Sequence, residues 1–390
     1  MSSATPKVFE FSHRTRVVLG SGVWLKALSA ARAFGDQVLL VTGVSSLTRL
    51  GLLPLLEAEA TRLGLRLCRF IVPREPDVEL ADQAAALARS SGVRAVLGIG
   101  GGSTLDVAKA AAALATNPGS ARDYLEGLPG PGPKPIAAAP LPVLCVPTTA
   151  GTGSEVTKNA VLQVADLQVK RSMRSELLFP EAAFIDPVLS GRAPRAVRAG
   201  TGFDALTHLI EAFCSSNASP LTDALAKDGI SRAIRGLQRL AEGTASEVDA
   251  QDLAIASTLG GICLANAGLG AAHGLIAPLG GLYPNIPHGA GLACLLPATL
   301  TINAAAAHTS PVASARLLEL WQLLAVGTVS EAARMLSELR ITLGLPALAS
   351  YGPIDVARVI KNPSGSLKTN PIPLDEGALR ALLELALSAP

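Results

Sequence analysis

The chain has 390 residues, enough for two domains with separate cores. It carries 33 Lys and Arg against 31 Asp and Glu, and this near-neutral balance with scattered basic residues excludes the footprint of a nucleic-acid or acidic-membrane binder. A hydrophobic fraction of 49% with only 16% charged residues commits much of the sequence to the interior.

The N-terminal stretch MSSATPKVFEFSHRTRVV has no apolar segment of the kind a secretory signal requires. Five cysteines (Cys68, Cys145, Cys214, Cys263, Cys294) are widely spaced, odd in number and without a CxxC pair. They read as buried free thiols of a reducing compartment, so a cytoplasmic location is expected.

Short β-branched runs then alternate with helical patterns. Residues 16–20, 37–43, 65–72, 95–100 and 143–148 read as strands, and residues 47–63, 80–90 and 106–115 as helices. Strands apolar on both faces fit a buried parallel sheet with crossover helices. Near FIDP (residues 184–187) the texture changes, and helical patterns follow at 203–214, 221–240, 253–267, 314–324 and 376–387. The expected architecture is an α/β nucleotide-binding domain over residues 1–188 and an all-α metal-binding domain over 189–390. Residues 253–315 contain no charged side chain, but Gly and Pro recur every few residues, so this region reads as interior rather than as a membrane span.

Two loops carry chemistry. The fourth strand ends in Gly100-Gly101-Gly102-Ser103 and runs into a helical segment. Consecutive glycines admit a ligand close to the backbone, and a helix N-terminus adds partial positive charge, which suits phosphate. The fifth strand leads into TTAGTGSEVT (residues 148–157), dense in hydroxyls and glycines. Two loops after parallel strands of one sheet would face one crevice, where such sheets bind nucleotides.

A metal set follows in the second half. Asp204 and His208 are four apart on a helical pattern, hence on one face. His273 and His288 lie in the same uncharged stretch, where an unpartnered imidazole is costly. One carboxylate and three neutral imidazoles suit Fe(II) or Zn(II). His13 reads as solvated and His308 as structural.

GGGSTLDVAK, PTTAGTGSEVT, GFDALTHLIEA, NAGLGAAH and PHGAG, together with KRSMRSELLFPEAAFIDP and TNP (residues 369–371), resemble the successive motifs of the iron-containing (group III) alcohol dehydrogenases. The resemblance runs from about Arg16 to the C-terminal helix. It implies a dehydroquinate-synthase-like fold with the active site between the two domains. It also implies Asp204, His208, His273 and His288 as metal ligands, with Asp204 and His273 counted as catalytic. Gly101, Gly102 and Ser103 would hold the pyrophosphate of NAD or NADP, with Asp106 on the helix behind them. Thr148, Thr149 and Thr152 would line the other side, and Asn159 and Lys170 would lie near the ribose and nicotinamide.

The activity implied is reversible hydride transfer between a nicotinamide cofactor and a small alcohol or aldehyde, in a homodimer or larger assembly. A lyase of the dehydroquinate synthase type and a non-catalytic cofactor-binding homologue are the rival readings. Three departures from the family pattern stand out. Ala277 occupies the place of a histidine four residues after His273, which puts the proton route in doubt. The stretch 283–287 is one residue longer than usual, so a bulged loop with His288 retained is expected. Gly43 ends the second strand where NAD-restricted members carry Asp, so NADP should be tolerated, with Ser45, Ser46 and Arg49 nearby.

Overall fold

A computed structural model describes residues 8–389; the first seven residues of the N-terminal stretch and Pro390 lie outside it. Eight strands occur among these residues: β1 (Arg16–Leu19), β2 (Gln37–Gly43), β3 (Arg66–Val72), β4 (Ala95–Gly100), β5 (Val143–Pro147), β6 (Asn159–Val164), β7 (Val169–Arg174) and β8 (Ala182–Ile185). Six form a parallel sheet in the order β1-β8-β5-β4-β2-β3, and β6 pairs antiparallel with β7 apart from it.

Alternation of side chains explains the layering. Leu39, Val41, Val96 and Cys145 face one side, where α4 (Val78–Ser90) and α5 (Gly102–Thr116) pack their alanine-rich faces. Val38, Leu40, Leu97, Ile99, Leu144 and Val146 face the other, against α1 (Lys26–Arg32), α2 (Ser46–Arg49) and α3 (Leu53–Arg62). β4, β5 and β8 are buried along their whole length. Both faces covered is the condition for an all-parallel sheet.

After β8 the described chain is helical: α6 (Pro187–Gly191), α7 (Arg195–Cys214), α8 (Pro220–Glu242), α9 (Glu247–Ala267), α10 (Ala271–Leu282), α11 (His288–Ala306), α12 (Pro311–Leu323), α13 (Val329–Thr342), α14 (Val356–Ile360) and α15 (Glu376–Ser388). Their core gathers Phe203, Leu206, Ile210 and Phe213 of α7 with Ile230 and Leu237 of α8 and Leu296 of α11. The fold class is therefore a parallel α/β N-terminal part followed by a helical C-terminal part.

Several sequence expectations needed correction. The single helix over 47–63 is two, because Gly51 takes a left-handed φ of 66° between α2 and α3. The helix expected at 106–115 begins at Gly102, so its first turn lies directly in the glycine loop. β8 and the β6–β7 hairpin were not foreseen; charged residues at Lys170, Arg171 and Arg174 masked the alternation in β7. His13, expected in solvent, is partly buried edge-on against Phe179 at 6.2 Å.

The uncharged region forms most of α9, all of α10 and all of α11, with Pro278 and Pro297 inside helices. Pro278 cannot donate to the Gly274 carbonyl, and that acceptor is taken instead by the Ser364 amide at 2.9 Å. By length and composition the helix His288–Thr309 could cross a membrane, but 72% of its apolar window is buried inside the protein.

Candidate active site and metal centre

β4 and β5 pair so that Gly100 stands opposite Pro147, and the two loops leave the sheet side by side. Thr148 N donates to Gly100 O at 2.9 Å. A Cβ at Gly102 would lie 2.6 Å from Thr152 Cγ2, so the loops touch and only glycine fits. Gly101, Gly102, Ser103, Thr149 and Thr152 form one wall of a cleft of about 1590 Å³, and Asp204, His208, His273 and His288 line the same cleft.

Asp204 and His208 project from α7, His273 from the first turn of α10, and His288 is the first residue of α11. All three imidazoles converge on Asp204 Oδ1: His273 Nε2 lies 3.3 Å away, and His208 Nε2 and His288 Nε2 each 3.7 Å. Single ligand atoms of Asp204, His273 and His288 lie within 4.8 Å of one another. His208 stacks on His273 with ring centroids 4.4 Å apart.

The electrostatics follow from burial. Burial lowers the His208 imidazole to about 3, against the pull of Asp204. His288, more open at the cleft, is also lowered, to about 4, by desolvation within the cleft and by the charges of His273 and Lys170. Burial alone would raise the Asp204 carboxyl, but His208, His288 and His273 together hold it below the usual carboxylate range. For His273 the balance reverses: burial is outweighed by Asp204 and Glu211, and the ring rises to about 9. His208 and His288 are thus neutral beside an ionised Asp204, as a divalent ion requires, whereas an ion bound at His273 would displace the proton that Asp204 and Glu211 favour on that ring.

Glu211, which the residue spacing did not single out, orients this set. Its Oε2 lies 2.7 Å from His273 Nδ1, and its Oε1 accepts from the Ala272 amide at 2.7 Å. The carboxylate requires the ring proton on Nδ1, leaving the Nε2 lone pair for an ion. Asn370 Oδ1 accepts from Ala271 N at 3.1 Å, so two side chains satisfy the α10 N-terminus that Gly270 cannot cap. Glu211 lies seven residues beyond Asp204 on one apolar helix, and a carboxylate there was the available signal. Replacing Glu211 by Gln should weaken metal retention about 10- to 100-fold in a chelator-competition titration; unchanged retention would contradict this role.

The remaining sequence candidates divide. Asp106, Asn159 and Lys170 line the cleft, whereas Gly43 and Thr148 are not among its lining residues. The Asp106 carboxylate is engaged internally, by Ser154 Oγ at 2.6 Å and Val161 N at 3.0 Å. Lys170 Nζ pairs with Glu75 Oε2 at 2.7 Å. Ala277 lines the cleft and offers no group to carry a proton. Residues 283–287 form a turn closed by Ile286 N to Tyr283 O at 3.0 Å.

Among titratable groups outside the metal set, burial pushes the Cys145, Cys214 and Cys263 thiols up to about 12, which rules them out as nucleophiles near neutrality. Burial also raises the Glu155 carboxyl from 4.5 to about 7. The folded protein therefore takes up this proton before the unfolded chain does. Its contribution to stability is greatest below pH 4.5 and is lost as pH rises through 7. Glu155→Gln should stabilise the protein by on the order of 3 kcal/mol at pH 8 and by nothing near pH 4.5. Denaturant titrations at the two pH values check this.

A catalytic cleft between a nucleotide-type α/β sheet and a helical His/Asp cluster defines a metal-assisted, dinucleotide-linked enzyme. The sequence matches the iron-containing alcohol dehydrogenase family over residues 14–187 and the C-terminal region of the Fe-containing alcohol dehydrogenase family over residues 198–353. It is 36% identical over 281 residues to long-chain-alcohol dehydrogenase 1 of Geobacillus thermodenitrificans, covering 72% of this chain and 69% of that one. It is 32% identical over 336 residues to 4-hydroxybutyrate dehydrogenase of Cupriavidus necator, covering 83% and 86%. The crystal structure of sulfoacetaldehyde reductase from Bifidobacterium kashiwanohense in complex with NAD+ superposes with a TM-score of 0.84 at 25% identity, covering 99% of this chain and 100% of that one.

The chain belongs to the iron-containing alcohol dehydrogenase family. It is an NAD-linked oxidoreductase acting between alcohols and aldehydes, as the sequence motifs led us to expect, rather than a lyase or a non-catalytic homologue.

Proposed function

We propose that Asp204, His208, His273 and His288 hold the catalytic ion, ferrous iron or alternatively zinc. The observation that carries this reading is the convergence of three imidazoles on one oxygen of a buried carboxylate, with Glu211 fixing the tautomer of His273. The donor set fits the ion. When bound, the ion supplies Lewis acidity at the substrate oxygen. Asp204 and His273 are the residues on which catalysis most depends.

Gly101, Gly102, Ser103, Thr149 and Thr152 would hold the dinucleotide, and the touching loops support this, since a backbone cradle at a helix N-terminus suits pyrophosphate. Asn159 and Lys170 would orient its nicotinamide end, with Thr148 and Asp106 shaping the loops from behind. With Ala277 inert, the alcohol proton leaves through solvent in the cleft rather than through a side chain at that position.

The substrate is a small alcohol or aldehyde. Gly43 at the end of β2 presents no carboxylate to a 2′-phosphate, which supports use of NADP as well as NAD. We place the domain boundary at residues 188/189, the protein in the cytoplasm, and its working form as a homodimer or larger assembly. An aldehyde panel assayed with NADH and NADPH on iron-loaded protein tests the reading. Turnover is expected with both cofactors, and a kcat/KM strongly favouring NADH would contradict the assignment at Gly43.

A further inference from the structure

Lys109 is the most deeply buried charge in the α/β part of the described chain, with no exposed surface. Its Nζ donates to Ser154 O at 2.8 Å, to Thr157 Oγ1 at 3.1 Å and to Asn159 O. It lies 3.3 Å from Asp106 Oδ1, one turn earlier on α5. Asp106 in turn accepts from Ser154 Oγ and from the Val161 amide. A buried ammonium is costly unless its geometry is good and its protons are all taken. Here every proton has an acceptor, and the acceptors span the turn that leads from the short 3-10 helix Ser154–Val156 into the first residue of β6.

That segment is the far side of the second loop. Ser154, Thr157 and Asn159 line the cleft, whereas Lys109 does not; it grips them from behind. The helix that carries Lys109 begins at Gly102, so one rigid element presents the first loop at its tip and anchors the second loop two turns further on.

We infer that Lys109, with Asp106, is a positioning residue that locks residues 154–159 to α5, so that the two glycine loops form one preorganised cradle for the dinucleotide. The inference rests on the assignment of those loops to the cofactor. Preorganisation of a loop raises affinity by removing the cost of ordering it on binding. Loss of the clamp therefore weakens binding of the dinucleotide and leaves the helical metal cluster and the aldehyde site untouched.

The test uses iron-loaded Lys109→Met, with NADH affinity measured by fluorescence titration and KM measured separately for NADH and aldehyde. The Kd and KM for NADH should rise at least tenfold, while the aldehyde KM and the metal per chain stay within twofold. A folded Lys109→Met with unchanged NADH affinity would overturn the proposal. So would a parallel rise of both KM values with metal loss, which is general loosening. Should Lys109→Met not fold, Thr157→Val removes one acceptor and should raise the NADH Kd at least threefold; no change would count against the clamp. If Gly102→Val, which intrudes on the first loop itself, binds NADH as well as the native protein, the loop assignment fails instead.

Discussion

Alanine at His273 should yield protein that retains no metal and whose kcat/KM for aldehyde reduction falls by on the order of 10³- to 10⁴-fold. Lewis-acid stabilisation contributes several kcal/mol, and each 1.36 kcal/mol is a factor of ten. Two effects combine at this position. The variant loses the Nε2 that lies 3.3 Å from Asp204, and it strips Glu211 of its ring partner, leaving a buried carboxylate held by backbone amides alone. Because the glycine loops are carried by β4, β5 and α5 rather than by α7, α10 or α11, NADH should still bind within about threefold of the native Kd, an allowance set by the scatter of single contacts. Metal analysis and NADH titration on one preparation separate loss of the ion from loss of the fold.

Gly289→Ala should reduce kcat/KM on the order of 10²-fold without touching a ligand, the loss that a displacement near 1 Å produces at a reacting centre. A Cβ at Gly289 would stand 2.0 Å from the Gly200 carbonyl oxygen. Both partners are backbone, so relief requires α11 to move away from α7. α11 carries His288 at its first residue and α7 carries Asp204 and His208, so the movement opens the ligand set directly. Overpacking of this kind also costs about 1–3 kcal/mol of stability. A variant with native metal affinity and native turnover would show that this close contact does not set the His288 position.

Much of this molecule was legible in its sequence, for identifiable reasons. β2 and β4 were read to their ends because a strand buried on both faces is a continuous apolar run bounded by polar or glycine residues. The proposed metal residues stood out because polar side chains in uncharged surroundings are conspicuous, and because i,i+4 spacing on α7 has one geometric meaning; the structure brings them to one cleft. What stayed hidden depends on distant partners. Glu211 and Asn370 act on α10 from 61 and 99 residues away, and nothing local in either segment announces that contact. β7 was missed because its charged residues serve the cleft rather than a core face. α10 and α11 were not read as helices, and the Ser364 amide that satisfies the Gly274 carbonyl left free by Pro278 comes from another part of the chain.

The measurement that bears most directly on the account is metal stoichiometry against activity in anaerobically purified protein. One ferrous iron or zinc ion per chain is predicted, with NADH-linked aldehyde reduction lost in proportion as a chelator removes it and regained on re-addition. Full turnover by protein shown to be metal-free would contradict the assignment of Asp204, His208, His273 and His288.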